Sequence, residues 1–128
     1  MRFFHRKNNR LCAEKEIGFL FTGGTVNFIH PVKAIFVINR STEPNYKLMV
    51  SVSKRNFKNA SDRNLLKRRL KEAFRKNTSE LSKTLQARGA AVNIAFIYVA
   101  KTIVTYKEIE TQVVKHISFI TNRVDKVD

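Results

Sequence analysis

The sequence predicts a single α+β domain. Apolar residues recur at helical spacing twice, through Leu66, Leu70, Ala73 and Phe74 and again through Ile109, Val113, Ile117 and Ile120. The stretch from Val26 to Ile38 is instead rich in β-branched and aromatic residues, and Val92 to Ala100 is mostly apolar. With 128 residues and a hydrophobic fraction of 43%, the chain can bury one modest core without disulfides or metals. No internal repeat, linker or low-complexity tract divides it, so 1–128 is read as one domain, with a basic arm over about residues 1–10 and a frayed tail over about 124–128.

The elements follow in order. Ile17, Leu20 and Phe21 space a short amphipathic helix over Ala13 to Phe21, and Gly23-Gly24 stop it. Pro31 marks the edge or start of a first strand over Val32 to Ile38; Val26 to Ile29 is either a separate strand or its lead-in. The turn formers Ser41 to Asn45 precede a second strand, where Leu48, Val50 and Val52 alternate with Met49, Ser51 and Ser53. A helix over Asp62 to Lys76, capped by Ser61 or Asp62, buries the Leu66 stripe, and a softer helical stretch spans Glu80 to Gln86. Val92 to Ala100 is apolar on both faces and reads as a central strand. Thr105 and Glu108 have capping-box spacing at the head of a last helix that runs to about Arg123.

A formal net charge of +15 is costly through self-repulsion, and the usual compensation is a polyanion whose counterions are released on contact. Nucleic acid is the leading partner class. An anionic membrane is disfavoured because the chain has no Trp and no apolar segment of transmembrane length. One cysteine, Cys12, precludes an internal disulfide and fits a reducing compartment; the N-terminus lacks a secretory pattern, so the cytoplasm is the expected location.

The charge is concentrated. Between Lys54 and Lys76 stand Lys54, Arg55, Lys58, Arg63, Lys67, Arg68, Arg69, Lys71, Arg75 and Lys76, against only Asp62 and Glu72. On a helical wheel Lys67, Arg68, Lys71 and Arg75 lie away from Leu66, Leu70 and Phe74, so the stripe can dock while the cations face outward. Guanidinium forks suit phosphates, and Asn64 can donate to and accept from a base or a 2′-hydroxyl. A merely solvated charged face is the competing reading, weakened here by the single sign of the run.

The ordered run Ser51-Val52-Ser53-Lys54-Arg55, a loop, then Asp62-Arg63-Asn64-Leu65-Leu66-Lys67-Arg68-Arg69-Leu70-Lys71-Glu72-Ala73-Phe74-Arg75 resembles the signature of the bacterial ribonuclease P protein family. The resemblance extends to Asn9-Arg10-Leu11, Glu16-Ile17 and Leu20 to Gly24 on one side, and to Ile94 to Ala100 and Tyr106 to Ile109 on the other. Two departures stand out. Leu65 occupies the usual third cation of the family's R-N-R motif, leaving Arg63, Lys67, Arg68 and Arg69 to carry that contact, and the loop Asn56 to Ala60 lacks the usual glycine.

The resemblance implies an αβββαβα two-layer sandwich similar to the second domain of ribosomal protein S5, with a left-handed βαβ crossover, against the general right-handed rule. It implies a protein subunit of ribonuclease P that binds the catalytic RNA subunit through Lys54, Arg55, Arg63, Asn64, Lys67, Arg68, Arg69, Lys71 and Arg75. It also implies a cleft for the single-stranded 5′ leader of precursor tRNA, formed by the first helix and the exposed sheet face. Ile17, Phe21 and Phe36 match positions in that cleft, with Ser51 and Ser53 on a neighbouring strand; for Phe21 and Phe36, core packing is the competing reading. Endonucleolytic removal of the leader would be catalysed by the RNA, with Mg2+ held by RNA and substrate rather than by protein.

The residues agree with that division of labour. Glu14 and Glu16, like Glu108 and Glu110, are spaced to different helix faces, and His5, His30 and His116 have no Cys or His at ligand spacing, so no catalytic or metal residue is assigned. Gly23-Gly24 precedes a strand rather than a helix, so neither a phosphate loop nor a small-molecule substrate is expected. Two rivals remain, a structural ribosomal or RNA-chaperone protein and a stand-alone nuclease; stimulation of precursor cleavage separates the first, and cutting without RNA the second.

Overall fold

The computed structural model describes residues 23–126. The expected opening helix, the basic arm, Cys12, Ile17 and Phe21 lie outside them.

Strand β1 (Thr25–Ile29) returns through a turn at His30-Pro31 into β2 (Val32–Arg40). β3 (Tyr46–Val52) follows, then helices α1 (Ala60–Arg75) and α2 (Ser79–Arg88), strand β4 (Ala90–Tyr98) and helix α3 (Tyr106–Asp125). The strands form one mixed sheet in the order β1-β2-β4-β3. β1 with β2 and β2 with β4 are antiparallel, and β3 lies parallel to β4. That parallel pairing requires a crossover, which α1 and α2 supply. The α+β class therefore holds, with Thr25–Ile29 a strand in its own right and the soft stretch after Lys76 a full second crossover helix.

The three described helices pack on one sheet face. Phe36, Leu48, Ile94 and Phe96 from the strands meet Leu66, Leu70, Phe74, Leu81, Ile109 and Val113 from the helices, all buried. Both predicted helical stripes are spent there in full. Rings lock the layers edge-on: Phe74 sits 5.2 Å from Tyr46 and 5.7 Å from Phe96, and Phe36 sits 6.0 Å from Phe119.

Three boundaries differ from the sequence expectation. α1 begins at Ala60 with Asn59 as an extended N-cap whose side chain makes no capping bond, so Ser61 and Asp62 lie inside the first turn, where the Asp62 carboxylate suits the helix dipole. β4 ends at Tyr98 rather than Ala100, because the Tyr98 hydroxyl donates to the Thr102 carbonyl (2.7 Å) and accepts from the Val104 amide (3.1 Å), turning the chain into its loop. The expected fraying from Val124 is corrected: α3 runs to Asp125, Val124 is fully buried, and Asp125 pairs with Arg88 of α2. The Thr105 cap is as expected, accepting from the Glu108 amide at 3.2 Å.

Candidate nucleic-acid interface

The stretch between β3 and α1 is shaped by one buried ring. Phe57 packs 5.9 Å from Tyr98, its amide donates to the Ser53 carbonyl (3.1 Å), and the Ser53 hydroxyl accepts from the Arg55 amide (3.0 Å). This anchoring gives the loop a fixed path without a glycine and leaves Lys54 and Arg55 exposed.

The cations of α1 divide into two groups. Arg63 donates through Nη1 to the carbonyls of Phe57 (2.7 Å) and Lys58 (3.0 Å), clamping the loop to the helix. Arg69 donates to the Val104 carbonyl, and Arg75 makes a bidentate pair with Glu72 that holds the carboxyl below its ordinary range. Asn64, Lys67, Arg68 and Lys71, by contrast, line a shallow groove of about 400 Å³ on the outer side of the helix. Of the nine expected contacts, Arg63, Arg69 and Arg75 hold the protein groups named above, Lys54 and Arg55 are exposed on the loop, and the remaining four line the groove. Leu65 is half-buried beside the core stripe and contributes no charge to that surface.

The sheet face turned away from the helices has a different character. Strand alternation and pairing place Val26, Ile35, Ala95 and Met49 in one cross-strand row, and Phe28, Lys33, Ile97 and Ser51 in the next. Val26 and Phe28 are more than half exposed, at 54% and 58%. The surface is apolar, with Lys33 and Lys47 beside it.

This face does not carry Phe36. Its ring is 1% exposed, beneath α3 and level with Ile94 in the core, so the assignment of Phe36 to a cleft on the exposed sheet face is corrected. The neighbour Ile35 lies on the other sheet face instead, since successive strand residues point to opposite sides, and there it is buried with Ala95 in a small second cluster flanked by Val37, Met49 and Ile97. Ser51 does lie on the open face, half-buried, and Ser53 follows β3 with its hydroxyl engaged by the Arg55 amide. Phe28, Ile35, Met49 and Ile97 were missed. The exposure of Phe28 has no sequence signal, and alternation along β2 puts Ile35 and Phe36 on opposite faces without saying which face the helices cover.

Comparison with known proteins bears on what this surface serves. The family model for Ribonuclease P matches residues 5–120. The chain belongs to the ribonuclease P protein family. It is 29% identical over 119 residues to the ribonuclease P protein component of Porphyromonas gingivalis, covering 92% of this chain and 87% of that one. Its fold is similar to that of a Staphylococcus aureus RNase P protein mutant (TM-score 0.68, 23% identity, 91% of this chain and 90% of that one). It is also similar to that of the Thermotoga maritima RNase P protein (TM-score 0.61, 18% identity, 93% and 97%). Ribonuclease P is a ribonucleoprotein endonuclease that matures tRNA 5′ ends, and this chain is of its protein-subunit family, the catalysis being carried by RNA.

Proposed function

We propose that Lys54, Arg55, Asn64, Lys67, Arg68 and Lys71 dock the ribonuclease P RNA, and that the open sheet face binds the single-stranded 5′ leader of precursor tRNA. The observation that carries this reading is the basic groove on α1: with Leu66, Leu70, Ala73 and Phe74 all in the core, the outer side is left as a rigid row of phosphate donors. The leader half follows from the opposite face, where the exposed Val26 and Phe28, the partly buried Met49 and Ile97 and the lysines beside them offer the mixture of stacking and phosphate contact that single strands need.

Catalysis stays with the RNA. Among the described residues there is no group of three or more His, Cys, Asp or Glu side chains that could hold a metal ion. The ions that activate water and stabilise the leaving oxygen belong on RNA and substrate in this reading. The protein supplies position and charge. Among the described residues no helix is long and apolar enough to cross a membrane, and a cytoplasmic enzyme is the setting we assign.

Binding to leader-bearing precursor and to mature tRNA, measured with the RNA subunit bound, tests this function. Preference for the precursor that falls on Met49→Ala or Ile97→Ala supports it; equal affinity for both tRNAs with the wild-type protein contradicts the leader half.

A further inference from the structure

The open sheet face does not end at its apolar rows. At the end where β3 begins it runs into a cavity of about 690 Å³, whose lining includes Asn39, Arg40, Glu43, Lys47, Gln86 and Asn93. Strand pairing sets Val37, Asn93 and Lys47 in one row and Asn39 beside Ala91 in the next, so four of the lining residues continue the same face as Ile35 and Met49. This cavity shares no lining residue with the basic groove of α1.

The walls are fixed by backbone tethers. The Ser41 amide donates to the Gly89 carbonyl (2.9 Å), the Val92 amide to the Asn45 carbonyl (3.0 Å), and the Glu43 amide to the Ser41 hydroxyl (3.0 Å). The β2–β3 loop is thereby pinned to the start of β4 and to the end of α2. Within this frame, among the described residues, no hydrogen bond or ion pair holds the side chains of Asn39, Arg40, Gln86 or Asn93. Each of the three amides offers both donors and an acceptor, Arg40 offers a phosphate fork, and Glu43 offers two acceptor oxygens.

We propose that this cavity is a base-reading pocket that takes one unstacked nucleotide of the RNA strand lying on the open face, and that it favours guanine. The size is that of an ordinary ligand pocket. Guanine carries adjacent N1–H and N2–H donors that match the two oxygens of a carboxylate, with O6 left to accept from an amide. Adenine, cytosine and uracil do not present that pair of donors to Glu43. The proposal rests on the leader-binding reading above and adds specificity to it: the apolar rows hold any strand by stacking, and the amide-lined end distinguishes its bases.

The test uses the assembled holoenzyme with precursors whose leaders carry each of the four bases at successive positions. The expected result is a guanine preference of about tenfold at one leader position, the discrimination a single good bidentate base contact confers. Glu43→Gln and, independently, Asn93→Ala bring the guanine substrate down to the level of the other three. No preference, a preference for another base, or a guanine preference unmoved by both substitutions overturns the pocket while leader-bearing precursor still outcompetes mature tRNA. If leader-bearing and mature tRNA bind alike, the open-face reading itself fails, and the pocket with it.

Discussion

The guanidinium of Arg69 donates to the backbone carbonyl of Val104 at 2.8 Å, tying α1 to the loop that leads into α3. Its neighbour Arg68 lines the outer groove instead. Two adjacent arginines of one basic run therefore do different work. Arg69→Met is expected to lower stability by about 1–2 kcal/mol, the cost of losing a charged donor to a half-buried carbonyl, with little effect on RNA affinity at temperatures where the variant is folded. Arg68→Ala should leave the melting temperature in place, weaken binding to the RNA subunit and reduce the salt slope of that binding by about one. Denaturant melts alongside salt-dependent binding separate the two.

Phe28 is the most exposed large apolar side chain on the open face, and Phe36 is among the most buried on the other. Phe36→Ala should cost about 3–5 kcal/mol by leaving a cavity under α3, and so act on folding rather than on any one substrate. Phe28→Ala should be nearly neutral in a thermal melt yet weaken precursor binding about fivefold, the low end of one lost stacking contact. Mature tRNA should bind unchanged.

His116 is fully buried beside Phe96, with Nε2 donating to the Val32 carbonyl at 2.8 Å and Nδ1 accepting from the Asn27 amide at 3.1 Å. Desolvation pushes its pKa below the ordinary 6.5, since the charged ring would be stranded in the core. In the unfolded chain the imidazole takes up its proton first as pH falls through 6.5. Stability from this residue is therefore complete above the unfolded value and declines below it, until pH passes the folded value and the loss levels off. Chemical denaturation across that range should show the decline in the wild type, and His116→Gln should remove that component of the slope.

Gly89 closes α2 with φ of 60°, a left-handed cap, and its carbonyl receives the Ser41 amide. A Cβ there would meet the Ser41 oxygen at 3.8 Å, an ordinary contact, so the penalty of Gly89→Ala is conformational rather than steric. A loss of about 1 kcal/mol is expected in a denaturant melt, with Gly89→Asn milder because Asn tolerates this conformation.

Much of the fold could be read from spacing because α1 and α3 each bury one face only, so the Leu66 and Ile109 stripes stood out against polar neighbours. The sheet was harder. β2 is apolar on both sides, and nothing in Ala34-Ile35-Phe36-Val37 says which parity the helices cover; that depends on packing against Phe119, far along the chain. The same limit applies to the basic run. Its concentration points to a polyanion as partner, but whether an arginine faces outward or caps a carbonyl depends on partners such as Val104, 35 residues away. Asn39, Gln86 and Asn93 carry no sequence signal of a shared pocket, because three separate elements bring them together.

The most direct measurement is cleavage of a 5′-leader precursor tRNA at low Mg2+ by a bacterial ribonuclease P RNA, with and without this protein and with the protein alone. Cleavage at the mature 5′ end that requires the RNA and is strongly enhanced by the protein is the predicted result. Cutting by the protein alone, or no enhancement with a closely matched RNA, would contradict it.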